Sequence, residues 1–136
     1  MPTRQTKTIE TTHQAMKNTA YENIVKGWLM QDGWQVFSPE LDHGHQTDVL
    51  ISDGDRYYRI QVKTVESKSK EHTVDRMWKD DNSIDAVVYF AHNSDWGLVA
   101  PAFKEKKRTL GHPDHFSFSK FSPKEFLAAF HSIPNG

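Results

Sequence analysis

Four residues in the first half of the chain, Glu22, Asp48, Gln61 and Lys63, have the types and spacing for metal chemistry through oxygen ligands. Gln61 and Lys63 are one residue apart, so in a strand they project from one face with Arg59, while Tyr58, Ile60 and Val62 take the other. Asp53-Gly54, between two apolar-rich runs, is a hairpin signal, and counting outward from it brings Asp48 to within a residue or two of opposite Gln61. A carboxylate, an amide oxygen and an ammonium would then meet at one end of a hairpin. Glu22, Val25 and Leu29 follow at spacings of three and four, so the helix face that docks on the sheet carries Glu22 with it.

Magnesium takes oxygen ligands in near-octahedral geometry, keeps several waters and uses about one or two protein carboxylates. Asp48, the Gln61 side-chain oxygen and the Val62 carbonyl between Gln61 and Lys63 fit that need. Such an ion lowers the pKa of a bound water and offsets charge on a phosphodiester under attack. Lys63 would orient or deprotonate the attacking water, or stabilise the pentacovalent phosphorus. Glu22 would hold a metal-bound water or a second ion.

These residues need elements to position them. A helix capped by Thr11 or Thr12 and running to about residue 31 carries Glu22, with Ala20, Ile24 and Trp28 recurring at spacing four and Val25 and Leu29 widening the stripe. Residues 34–37 form a short strand stopped by Ser38-Pro39, and 41–46 a polar loop. Residues 47–51 and 56–65 form the hairpin strands. The stretch 66–82 reads as loop with a short helix around 74–78. Residues 84–91 are a nearly continuous apolar strand, of the kind buried on both faces, and 96–100 another. Ser122-Pro123 opens a last helix through Phe130. This order predicts one α/β domain over residues 1–136, with a central mixed sheet of about five strands flanked by helices and residues 1–10 as a flexible tail.

Composition narrows the function classes. At 136 residues the chain is one domain long. Its 17 basic and 18 acidic residues nearly cancel, so attraction to nucleic acid must come from local patches. With no cysteine there is no disulfide, thiolate zinc site or cysteine nucleophile. No run approaches the roughly 18 apolar residues of a membrane span, and no apolar run follows Arg4 and Lys7 as in a signal peptide, which predicts a soluble, cytoplasmic protein. Glycine-rich phosphate loops, dinucleotide fingerprints and nucleophile-elbow serines are missing.

The helix with Glu22, Gly33-Trp34-Gln35-Val36, Pro39, Asp48 within Thr47-Asp48-Val49-Leu50-Ile51, and Gln61-Val62-Lys63 in the next strand resemble the PD-(D/E)XK nuclease superfamily. The resemblance spans about residues 15–65, with 84–100 similar to that fold's later strands, and is greatest to its small group I intron homing endonucleases and Holliday-junction resolvases. It implies metal-dependent phosphodiester hydrolysis, with Asp48 and Gln61 as ligands, Lys63 as catalytic lysine and Glu22 as the helix-borne acid. Gln61 stands where most relatives have an acid, although some use glutamine, and Tyr21 stands where many have glycine before the helix acid.

The leading expectation is a Mg2+-dependent endonuclease, with Mn2+ able to substitute, cutting DNA at a four-way junction or a specific duplex as a homodimer with two active sites. The other readings are a nuclease-fold module that binds nucleic acid without cutting it, and a plain protein-interaction domain. Expected DNA contacts are Lys68, Lys70, Lys104, Lys106, Lys107 and Arg108, with His45, just before Asp48, holding the phosphate or scissile strand. The pairs His43/His45 and His112/His115 lack the partners of a zinc site and read as loop residues. Trp78 and Trp96 read as packing residues sooner than base-stacking ones.

Overall fold

The computed structural model describes residues 2–40, 47–66, 73–75, 84–103 and 107–133. Helix α1 (Glu10–Gln31) leads into β1 (Gln35–Phe37), β2 (Val49–Ser52) and β3 (Tyr57–Val65). β4 (Thr73–Asp75), β5 (Ala86–Ala91), β6 (Trp96–Pro101), β7 (Lys107–Thr109) and β8 (Phe116–Ser119) follow, and α2 (Pro123–Ser132) closes the fold. The main sheet has six strands in the order β1-β2-β3-β5-β6-β8, and β4 pairs with β7 in a separate ribbon. All neighbours in the main sheet are antiparallel except β3 and β5, so it is mixed, as expected.

Local chemistry explains the element ends. Past Gln31 the chain turns through Gly33 at φ 101°, while Trp34 N–H donates to the Leu29 carbonyl at 3.0 Å. The hairpin loop between Ser52 and Tyr57 turns at Gly54, φ 102°, and Asp53 Oδ1 accepts from the backbone N–H groups of Asp55 (2.9 Å) and Arg56 (2.8 Å). Those bonds hold the Asp53 carboxyl below the usual carboxylate range. Ser122 caps α2 by accepting from Glu125 N–H at 3.2 Å, with Pro123 in the first turn.

The two sheet faces differ. On one, Val49, Ile51, Ile60, Val62, Val88, Phe90, Val99 and Phe118 pack with Val25 and Leu29 of α1 and Phe126 and Ala129 of α2. Trp28 sits in an aromatic cluster, 4.9 Å from Phe126 and 6.1 Å from Phe118 by ring centroid. On the other, Val87, Tyr89, Leu98 and Ala100 pack under Phe103 and Leu110. Both helices therefore cover the same face. Among the described residues, no helix is long and apolar enough to cross a membrane.

Several expectations need correcting. Neither Thr11 nor Thr12 caps α1: the N-cap is Ile9, which makes no side-chain cap. Ala20 and Ile24 are exposed, because the helix turns Tyr21 and Trp28 inward with Val25 and Leu29, and Tyr21 stacks on Phe90 at 4.5 Å. Thr73–Asp75, expected in loop and the start of a short helix, is strand β4 held by antiparallel pairing with β7; residues 76–80 lie outside the described set. The sheet gains a sixth strand, β8, whose Phe116 and Phe118 alternate with Ser117 and Ser119 and pack into the helix-covered core.

Candidate active site

The hairpin register sets the centre of the site. β2 and β3 pair Val49 with Ile60 and Leu50 with Arg59, so one step further Asp48 lies opposite Gln61. There the regular ladder ends. Asp48 N–H still donates to the Ile60 carbonyl at 3.0 Å, but the next bond comes from the side chain, with Val62 N–H donating to Asp48 Oδ2 at 2.8 Å. In a strand, one residue's N–H and C=O leave on the same side, so the Val62 carbonyl also projects from this edge. β3 runs on to Val65 beyond the start of β2 at Val49.

Alternation along β3 turns Ile60 and Val62 into the core under the helices, and Gln61 and Lys63 to the face that neither α1 nor α2 covers. Gln61 is 2% exposed and Lys63 is half-buried. Lys63 sits beside Tyr89 of β5 in the parallel register. Burial pushes the Tyr89 hydroxyl well above the usual tyrosine range, and the Arg108 guanidinium opposes that shift without cancelling it.

Glu22 approaches from the other side of the sheet. Thr64 Oγ1 donates to Asn18 Oδ1 at 3.3 Å, and Tyr21 stacks on Phe90, the register partner of Thr64. Glu22, one helical turn beyond Asn18 on α1, is half-buried. The structure thus puts Asp48, Gln61 and Lys63 on one face and α1, which carries Glu22, on the opposite one.

The donors at this edge, one or two carboxylates, an amide oxygen and a backbone carbonyl, are the hard oxygen set that suits magnesium. Among the described residues no group of three or more histidine, cysteine, aspartate or glutamate side chains stands together to hold a metal. His112 and His115 lie in the loop between β7 and β8, with ring centroids 5.4 Å apart. His112 Nδ1 accepts from Asp114 N–H at 3.1 Å, and His115 Nδ1 is 3.0 Å from the Leu110 carbonyl. Burial lowers the His115 pKa, outweighing the effect of that carbonyl.

Of the expected DNA contacts, Lys68, Lys70, Lys104, Lys106 and His45 lie outside the described residues, as does Trp78. Lys107 is exposed on β7. Arg108 turns inward: its side chain is 11% exposed, 3.9 Å from Asp114 and stacked over the Phe103 ring at 5.0 Å. Trp96 packs against the second core, in keeping with a packing role. Sequence reasoning missed a tie beside the site, in which Arg59 Nε donates to Thr47 Oγ1 at 2.7 Å, next to Asp48. Its only signal was that Arg59 shares a face with Gln61 and Lys63.

No protein-family model matches the sequence, and no curated protein is similar to it. Solved structures are. The chain is similar to a bacterial homing endonuclease at 18% identity and a TM-score of 0.59, over 86% of this chain and 90% of that one. It is also similar, at 16% identity and a TM-score of 0.45, to Hjc, a Holliday junction resolvase from the archaeal hyperthermophile Archaeoglobus fulgidus, over 76% of this chain and 84% of that one. The mixed sheet, the leading helix and the hairpin bearing Asp48 and Gln61-Val62-Lys63 thus share the α/β fold of that homing endonuclease.

Proposed function

We propose that this chain is a metal-dependent endonuclease that hydrolyses DNA phosphodiester bonds. The observation that carries the reading is the end of the hairpin, where Asp48 replaces a ladder bond by accepting from Val62 N–H at 2.8 Å and so stands opposite Gln61, with Lys63 on the same face. Asp48, the Gln61 amide oxygen and the Val62 carbonyl would hold Mg2+, or Mn2+ in its place, and Glu22 would support a second ion or its waters. When bound, the ion supplies Lewis acidity and a water of lowered pKa. The chain's own part is to fix the scissile phosphate at the open edge of β3 and to present the Lys63 ammonium, which orients the attacking water or stabilises the phosphorus as charge builds. Lys107, with Lys68, Lys70, Lys104 and Lys106, supplies phosphate contacts, and His45 steadies the scissile strand.

The likeness to a homing endonuclease supports a DNA substrate, and a chain of this size would present two sites to a duplex or a four-way junction as a homodimer. A cytoplasmic location suits such a substrate. Cleavage of supercoiled plasmid, linear duplex, single strand and four-way junction in Mg2+, Mn2+ or EDTA tests the reading, with Lys63→Ala as the control. Cutting that needs metal and is lost in Lys63→Ala is the expected result. One observation favours a second reading: Gln61, at 2% exposure, puts a neutral amide where a carboxylate would be enclosed. Binding without cleavage of any substrate would select that inactive module.

A further inference from the structure

The face that neither α1 nor α2 covers carries an exposed aromatic pair beside the site. Tyr57 is 62% exposed and Phe37 37%, with ring centroids 6.2 Å apart. The register pairs Phe37 with Leu50 and Tyr57 with Ser52, so the rings meet across β2. Leu50, beside Phe37, is two residues from Asp48. Tyr57, Arg59, Gln61 and Lys63 form one row along β3, in which Tyr57 lies about 13 Å from Gln61 at the rise of a strand. Arg59 stands between them, tied through Nε to Thr47 at 2.7 Å.

Resting on the nuclease reading above, we infer that this row is the track of the substrate strand as it leaves the site, with a phosphate adjoining the scissile one on the Arg59 guanidinium and an unstacked base on the Phe37–Tyr57 pair. Continuity with the candidate site favours a nucleic acid, since Tyr57 shares its row with Gln61 and Lys63. Arg59 and Lys63 lie in the row and Arg56 beside it. The nearby acids are Asp48, a candidate metal ligand, Asp85, whose Oδ2 accepts from Arg59 N–H at 2.7 Å, and Asp53 and Asp55 in the hairpin loop past Tyr57, where Asp53 is engaged by two backbone N–H groups. Area disfavours a second copy of the chain. Two partly exposed rings, each able to bury about 150–250 Å² at most, fall well short of the roughly 800 Å² per partner of a stable interface. Aromatic rings stack on any base, so the face suits a strand with unpaired nucleotides next to the cut, as at a branch point, better than a continuous duplex.

The test reads binding, not turnover. Full-length protein in Ca2+ is titrated with a four-way junction, a matched duplex and a single strand, each with 2-aminopurine at successive positions beside the cut. One position next to the cut should change its fluorescence in the junction and single strand. Tyr57→Ala should abolish that change and weaken binding of those two substrates about tenfold, with duplex affinity unchanged, while Tyr57→Trp restores both. Arg59→Ala should lower the slope of log affinity against log salt by about one. It should also cancel the penalty of a neutral methylphosphonate adjoining the scissile phosphate. Unchanged fluorescence and affinity in Tyr57→Ala would overturn the inference. So would a loss of sedimenting mass with DNA affinity intact, which would mark the pair as a self-association face. These signatures in a protein that never cuts would retain the track and reject the nuclease reading, and cutting that is indifferent to Tyr57 would do the reverse.

Discussion

Asp48 Oδ2 and Val62 N–H are 2.8 Å apart, a side-chain bond in the place of a ladder bond. The carboxylate that would bind metal is therefore also a piece of the sheet, and the two roles separate by substitution. Asp48→Asn keeps an acceptor oxygen for Val62 N–H and loses the charge, so its thermal stability should stay close to wild type while cleavage falls below detection. Asp48→Ala leaves a part-buried N–H without its acceptor and should cost about 1–3 kcal/mol in denaturant titration as well as activity. Equal stability of the two variants would show that the bond contributes nothing to the fold.

Gln61 offers the converse experiment. Its position is 2% exposed, so Gln61→Glu encloses a carboxylate beside Asp48. Burial and the like charge both raise the pKa of the new group. A raised folded-state pKa means stability present at low pH and lost as pH rises, so in EDTA the variant should be clearly less stable at pH 8 than at pH 5. Mg2+ should reverse that loss more than it stabilises wild type, by ligand linkage. A melting temperature indifferent to both pH and Mg2+ would place position 61 outside any cation site.

How much of this was legible beforehand depends on the range of the interaction. Asp53-Gly54 and the alternation of residues 57–65 are local signals, and they put Asp48 to within a residue or two of opposite Gln61, where the register then sets it. The phase of α1 was not local. Ala20 and Ile24 compete with Tyr21 for the buried stripe on hydropathy alone, and what decides is Phe90, nearly 70 residues away, which stacks on Tyr21. The placement of α1 on the face opposite Gln61 and Lys63 was likewise invisible, since periodicity gives a helix its apolar side but not the side of the sheet that receives it. β8 was legible and overlooked: Phe116 and Phe118 alternate with serines at the period of a strand.

The pairing of β8 with β6 depends on one glycine. Gly97 faces the Phe118 ring, and a Cβ built on it would lie 2.7 Å from the Tyr89 carbonyl oxygen as well as inside the space of the ring. Backbone on one side and a buried aromatic on the other leave little room to yield. Gly97→Ala should destabilise the protein by about 1–3 kcal/mol through overpacking, despite the usual gain from restricting the unfolded chain. Chemical denaturation measures this directly, and a stabilised variant would mean that β8 can shift without cost.

His115 gives the fold a pH dependence of its own. Burial lowers its pKa from the ordinary 6.5, and its Nδ1 lies 3.0 Å from the Leu110 carbonyl in the loop that covers the second core. The unfolded chain therefore binds a proton at a pH where the folded chain does not, so stability rises with pH across that window. The contribution is complete above about pH 6.5 and is lost as pH falls from there through the folded-state value. His115→Gln removes the titration while keeping a side-chain donor for the Leu110 carbonyl, so its stability should change less than wild type between pH 7 and pH 5. The expected readout is a smaller fall in denaturation midpoint over that interval. An identical fall in both proteins would assign the acid sensitivity to other groups. Lys63 is on β3, outside the β7–β8 loop that carries His115, so cleavage measured at pH 8 should be the same in both proteins even as their acid stabilities diverge.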